Sequence, residues 1–64
     1  MTYKFVPDVG VEMDWKFEGL TWEIETLDDG FYMEGGQFMV AIDENYRSLS
    51  SKPSRQGVFV ESKE

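Results

Sequence analysis

Cysteine and histidine are both missing from this sequence. Without cysteine there is no disulfide and no thiolate metal site, and the redox compartment is left open. Without histidine the chain lacks the commonest general base, the usual partner of a serine nucleophile and the commonest zinc ligand. No apolar run approaches the roughly 20 residues that span a bilayer. The opening Met1-Thr2-Tyr3-Lys4-Phe5-Val6-Pro7 has no basic segment leading into an apolar stretch. No signal peptide and no membrane association are therefore expected, and the chain reads as soluble and cytoplasmic. Positive charge is scarce too, with six Lys and Arg against thirteen Asp and Glu, a net −7 in 64 residues.

That imbalance is uneven. Residues 1–45 hold eleven acids and only Lys4 and Lys16, whereas 46–64 hold Arg47, Lys52, Arg55 and Lys63 against Glu61 and Glu64. An acidic body opposes direct nucleic-acid binding, because holding a phosphate backbone requires positive charge. It suits a basic partner instead. A chain this short is one domain, burying only about 60% of its unfolded surface. Its means of support are aromatic: five Phe, three Tyr and two Trp, each able to bury a large apolar area.

The clearest pattern is strict alternation. Val11, Met13, Trp15 and Phe17 alternate with Glu12, Asp14, Lys16 and Glu18, and after Gly19 the sequence resumes in the other parity with Leu20, Trp22 and Ile24. Period two over such a length predicts half-buried strands. The parity switch predicts a two-residue loop at Glu18-Gly19, setting Phe17 opposite Leu20, Trp15 opposite Trp22 and Met13 opposite Ile24. Leu27-Asp28-Asp29-Gly30-Phe31 suits a three-residue hairpin connection, with a two-residue Asp29-Gly30 loop that shifts the register by one as the alternative, and Gly35-Gly36 a second tight turn before Gln37–Asp43 returns. These segments make a four-stranded meander over 11–43, flanked by short strands at Tyr3–Val6 and Val58–Glu61. The segment between 44 and 57 is Ser-rich and reads as a mobile or functional loop. The expectation is one all-β domain over 1–64: a small antiparallel meander of five or six short strands, curved or rolled into a partly open barrel of SH3-like size.

The expected register sets Asp14 opposite Glu23 and Glu12 opposite Glu25. Like charges directly across a sheet are destabilising. Such an arrangement points to an acidic strip that docks on a cationic surface; the alternative is a solvated polar face, partly neutralised by Lys16 beside it and by Lys4, Arg47 or Arg55 folding back. Tyr46 is the candidate contact aromatic of the 44–57 loop, with a loop anchor as the alternative. Trp15 and Trp22 share a face with Met13, Phe17, Leu20 and Ile24 and are assigned to the core. Tyr32, Met39 and Ala41 fall on the opposite face with Leu27. Unless Tyr3, Phe5, Val58 and Phe59 cover them, they form an oligomer face.

No catalytic constellation is present. Asp28-Asp29 and Asp43-Glu44-Asn45 do not have the spacing of a calcium loop, and the serines lack a base. No metal, no cofactor and no enzymatic activity are expected. In size and charge alone, the chain resembles inhibitors carried by phages and mobile elements, some of which imitate DNA. The resulting expectation is a protein-binding modulator that sets Glu12, Asp14, Glu23 and Glu25 against a basic, nucleic-acid-binding surface of a larger protein. The alternative is an assembly protein that forms a homodimer or larger oligomer through its apolar face or a strand edge.

Overall fold

In a computed structural model that describes residues 1–62, the chain forms five short strands and one 3-10 turn. The strands are β1 (Tyr3–Pro7), β2 (Glu23–Leu27), β3 (Gly30–Gly35), β4 (Phe38–Ile42) and β5 (Gly57–Glu61), with the turn at Pro53–Arg55. They build two antiparallel sheets, β1-β5 and β2-β3-β4. The all-β fold read from the residues is the fold observed, and each strand is rich in the aromatic and β-branched residues that suit a pleated, half-buried surface.

The central meander is smaller than expected. It covers β2, β3 and β4 alone, joined by two-residue loops at Asp28-Asp29 and Gly36-Gln37 that set Leu27 opposite Gly30 and Gly35 opposite Phe38. The first connection is therefore one residue tighter than expected. Val11–Phe17 is not a strand at all. Residues 14–20 form successive tight turns instead, with the N–H of Phe17 donating to the Asp14 carbonyl (2.8 Å) and that of Leu20 to the Phe17 carbonyl (3.3 Å). The side chain of Asp14 accepts from the Lys16 N–H (3.0 Å), a local bond that competes with any ladder. The place beside Trp22 is filled by β1: Tyr3 and Trp22 exchange both backbone hydrogen bonds (2.8 and 2.9 Å). Trp15 does not meet Trp22, and neither Glu12–Glu25 nor Asp14–Glu23 is formed. The fold avoids two opposed carboxylate pairs and draws its core partner for Trp22 from a strand more than a dozen residues upstream.

One core results. Tyr3, Phe5, Phe17, Trp22, Met33, Val40, Ile42 and Phe59 are buried together. Their rings meet mostly edge to face: Phe17 and Trp22 at 5.1 Å, Trp22 and Phe59 at 5.0 Å, Phe5 and Phe17 at 5.4 Å. Such contacts add roughly 0.5–1.5 kcal/mol each beyond the area they bury. Phe17 reaches this core from a turn, not from a strand. Trp15 is 76% exposed, and Met13 and Ile24 are also exposed, so three residues assigned to the core lie outside it.

The 44–57 segment, read as a loop, is tied to strands on both sides. Its Arg47 carbonyl accepts from the Asp43 N–H (3.1 Å), the Leu49 N–H donates to the Ala41 carbonyl (2.9 Å), and the Ser48 N–H donates to the Gly57 carbonyl (2.9 Å). Ser48 Oγ also donates to the Arg55 carbonyl (2.7 Å) and accepts from the Gly57 N–H (3.1 Å). With the Tyr3–Trp22 bridge, these bonds join the two sheets along both seams.

Candidate functional site

The register of the meander decides which side chains share a surface. Cross-strand pairing places Glu23, Glu34 and Met39 in one row, and Glu25, Tyr32 and Ala41 in the next. Because successive side chains alternate, both rows lie on the face turned away from Trp22 and Met33. Leu49, 60% exposed, extends this outer face beside Ala41. The face is thus divided: carboxylates on β2 and the adjoining part of β3, apolar side chains on β4 and beyond it. The two sites expected separately, an acidic strip and an apolar oligomer face, are halves of one surface. Tyr3, Phe5 and Phe59 do not cover it, since they belong to the Trp22 core.

The expected residues do not all arrive there. Glu23 and Glu25 do, and so do Tyr32, Met39 and Ala41. Glu12 lies in the loop before the turns, beside Val11, Pro53 and Ser54. Asp14 is occupied internally, 3.7 Å from the Nε of Arg55. Tyr46 adopts a left-handed conformation (φ 62) and stacks on Tyr3 at 5.4 Å, while its carbonyl accepts from the Phe59 N–H (2.8 Å). Those contacts describe the anchor reading of Tyr46. The residue that sequence reasoning missed is Glu34. Its position opposite Glu23 follows only from the two-residue Asp28-Asp29 loop, and the longer loop expected from the glycine would not have shown it.

The basic segment folds onto the acidic body. Arg47 binds Asp8 at 2.7 Å and Arg55 approaches Asp14, whereas among the described residues no ion pair reaches Glu23, Glu25 or Glu34. The two arginines differ in kind. Arg47 is half exposed, and an exposed pair contributes only about 0–1 kcal/mol. The guanidinium of Arg55 lies over the rings of Phe17 (5.2 Å) and Phe38 (5.4 Å). Arg55→Ala is therefore expected to lower unfolding stability by about 1–2 kcal/mol, through lost stacking and stem packing. Arg47→Ala should lower it by less than about 1 kcal/mol. Urea denaturation of the two variants checks this, and Arg55→Lys should restore only part of the loss, because lysine lacks the planar group.

At the far end of the meander the Tyr32 phenol donates to Asp29 (2.9 Å). This hydrogen bond to the carboxylate, followed by partial desolvation, holds the phenol proton and raises its pKa above 10.0. The bond pins the Asp28-Asp29 loop to the outer face. Among the described residues, no three His, Cys, Asp or Glu side chains are grouped to hold a metal ion, and no helix is long and apolar enough to cross a membrane. No protein-family model matches this chain, and neither does any curated protein or solved structure.

Proposed function

We propose that this chain is a non-catalytic protein-binding modulator whose outer sheet face docks on a basic, nucleic-acid-binding surface of a larger protein and occludes it, as a phage or mobile-element inhibitor would. The observation that carries this reading is the division of that face. Glu23 and Glu34 oppose one another with no ion pair among the described residues, Glu25 lies beside them, and Tyr32, Met39, Ala41 and Leu49 continue the surface. Opposed like charges cost stability in a domain that has little to spare. Carboxylates held on a sheet offer a cationic groove what a row of phosphates offers it. The apolar half supplies the water-excluding centre that specific interfaces have. The net charge of −7 speeds encounter with a cationic partner.

The test is affinity capture from a host lysate with the wild-type chain and the Glu23→Lys/Glu34→Lys variant. Captured proteins should be basic, should be released by salt and should be displaced by duplex DNA. The double reversal should weaken capture by roughly 10–100-fold, in the range of a few kcal/mol seen for interfacial charge reversal. The variant's thermal stability should stay near that of the wild type, since reversing both positions exchanges one like-charge contact for another. Capture that ignores both salt and the reversal would overturn the reading.

The apolar half also favours a second reading, self-association through Tyr32, Met39 and Ala41. Sedimentation showing a monomer at high protein concentration would remove it.

A further inference from the structure

The register of β2 and β3 leaves half of β2 with backbone groups turned outward. A two-residue loop makes Leu27 and Gly30 a mutually bonded pair, and the alternation of an antiparallel ladder then bonds Glu25 to Tyr32 and Glu23 to Glu34. Ile24 and Thr26 therefore direct their N–H and C=O groups to the other side. Trp22, of the same parity, shows where they point, since it spends both groups on Tyr3. From that antiparallel bridge β1 runs away from Ile24, and among the described residues no bridge is made to this side of Ile24–Leu27. All five residues of β2 are exposed.

Beside this edge, on the face opposite the carboxylate rows, lies a groove of about 230 Å³ lined by Ile24, Phe31, Ile42 and Tyr46, with Asp43 and Glu44 at its rim. Its walls are accessible: Ile24 is 40% and Phe31 48% exposed. Asp43 is engaged by the backbone N–H groups of Asn45 (2.8 Å) and Arg47 (3.0 Å), which hold it in place as a fixed negative charge.

We infer that the β2 edge receives an extended peptide segment of alternating apolar and basic residues, added to the sheet as a further strand. The alternation follows from the geometry. A residue opposite Ile24 or Thr26 turns its side chain onto the groove face, where apolar surface is open. The residue between them turns to the outer face, beside Glu25 and Glu23. Backbone hydrogen bonds to Ile24 and Thr26 give the segment its hold, and the two faces give it its pattern. Charge complementarity selects this occupant over a second copy of the chain, because pairing β2 with another β2 would bring Glu23 and Glu25 of both strands onto one face. The inference rests on the reading of a basic protein partner and specifies the form in which part of that partner binds.

The experiment is a titration of the isotope-labelled full chain with capped Val-Lys-Val-Lys-Val, followed by NMR and amide hydrogen exchange. Comparison peptides are Val-Glu-Val-Glu-Val and the shuffled Lys-Lys-Val-Val-Val. The alternating basic peptide should shift the amides of Ile24 and Thr26 and slow their exchange by about tenfold or more. The acidic peptide should do neither, and the shuffled one should bind several-fold more weakly. Thr26→Pro, which removes an outward N–H and leaves the ladder to β3 intact, should abolish the protection of the Ile24 amide. Phe31→Ser, which opens the groove without touching the edge, should weaken binding and serves if the proline variant does not fold. Equal binding of the shuffled peptide, or shifts confined to Glu23, Glu25 and Glu34 without protection at Ile24 and Thr26, would overturn the inference. So would protection of those amides that grows with protein concentration in the absence of peptide, which would assign the edge to a second copy. Loss of peptide binding while salt-dependent capture persists would sink strand addition alone, and the reverse would sink the outer-face reading alone.

Discussion

Trp22→Ala is expected to remove a large share of the domain's stability, and to unfold it if that stability lies at the low end for its size. Trp22 is fully buried, with Phe17 and Phe59 packed edge-on against it and Gly35 beneath it. Removing a buried tryptophan costs about 3–5 kcal/mol, and a domain of this length has roughly 3–10 kcal/mol in total. Trp15→Ala should cost less than about 0.5 kcal/mol, as surface substitutions do, since Trp15 is 76% exposed. Circular dichroism with urea titration of the two variants separates them. The contrast bears directly on the fold: in a hairpin with the tryptophans paired, both substitutions would be severe. Trp22→Phe is expected to be much milder than Trp22→Ala. The indole N–H has no hydrogen-bond partner among the described residues, so its packing, and not its polarity, is what stabilises the fold.

Gly57→Ala is expected to destabilise by about 1–3 kcal/mol, and to do so by parting β1 from β5. A Cβ at Gly57 would collide with the Val6 carbonyl oxygen and stand 2.7 Å from the ring of Phe5. The carbonyl is backbone and cannot swing aside as a long side chain would. Gly57 is paired with Pro7 on one side, while on the other it donates to Ser48 Oγ and accepts from the Ser48 N–H, so the strand has no free direction in which to move. Gly35→Ala meets a different obstacle, the Trp22 indole at 2.5–2.9 Å from the new carbon. It should be comparably destabilising, with the disturbance centred on the core instead of the seam. Thermal melts give the magnitudes. Amide exchange gives the location: Phe5 and Phe59 should lose protection first in the Gly57 variant, and Met33 and Val40 in the Gly35 variant.

Most of the strands were legible in the residues. Tyr3–Val6, Phe31–Met33 and Val58–Glu61 carry alternating or β-branched patterns between turn residues and lie within strands of the structure, and Gln37–Asp43 encloses β4. The largest failure was the most regular stretch, Val11–Phe17, beside a 27–31 connection one residue tighter than expected. Alternation tells that a segment could serve as a strand; it does not tell whether an edge is available for it to join. The edge beside Trp22 went to Tyr3, and Asp14, bonding its own neighbourhood, helped to turn the spare segment into a series of bends. The candidate site was legible in the same uneven way. Glu23, Glu25, Tyr32, Met39 and Ala41 could be assigned to a common parity from local pattern. Glu34 joined them only through the tightness of one loop, and Glu12 and Asp14 left with the hairpin that did not form.

By itself, then, the sequence determined an all-β domain with an aromatic core and an acidic surface, because parity, turn chemistry and charge are local properties of neighbouring residues. Only the tertiary structure decided which strand lies beside Trp22 and, among the described residues, which carboxylates have no ion pair and which edge has no strand beside it. Those outcomes depend on a competition between distant segments for the same hydrogen bonds and the same buried area. In that competition Tyr3 of β1 took the place beside Trp22 that local pattern had offered to Trp15, and among the described residues no strand took the rest of that edge.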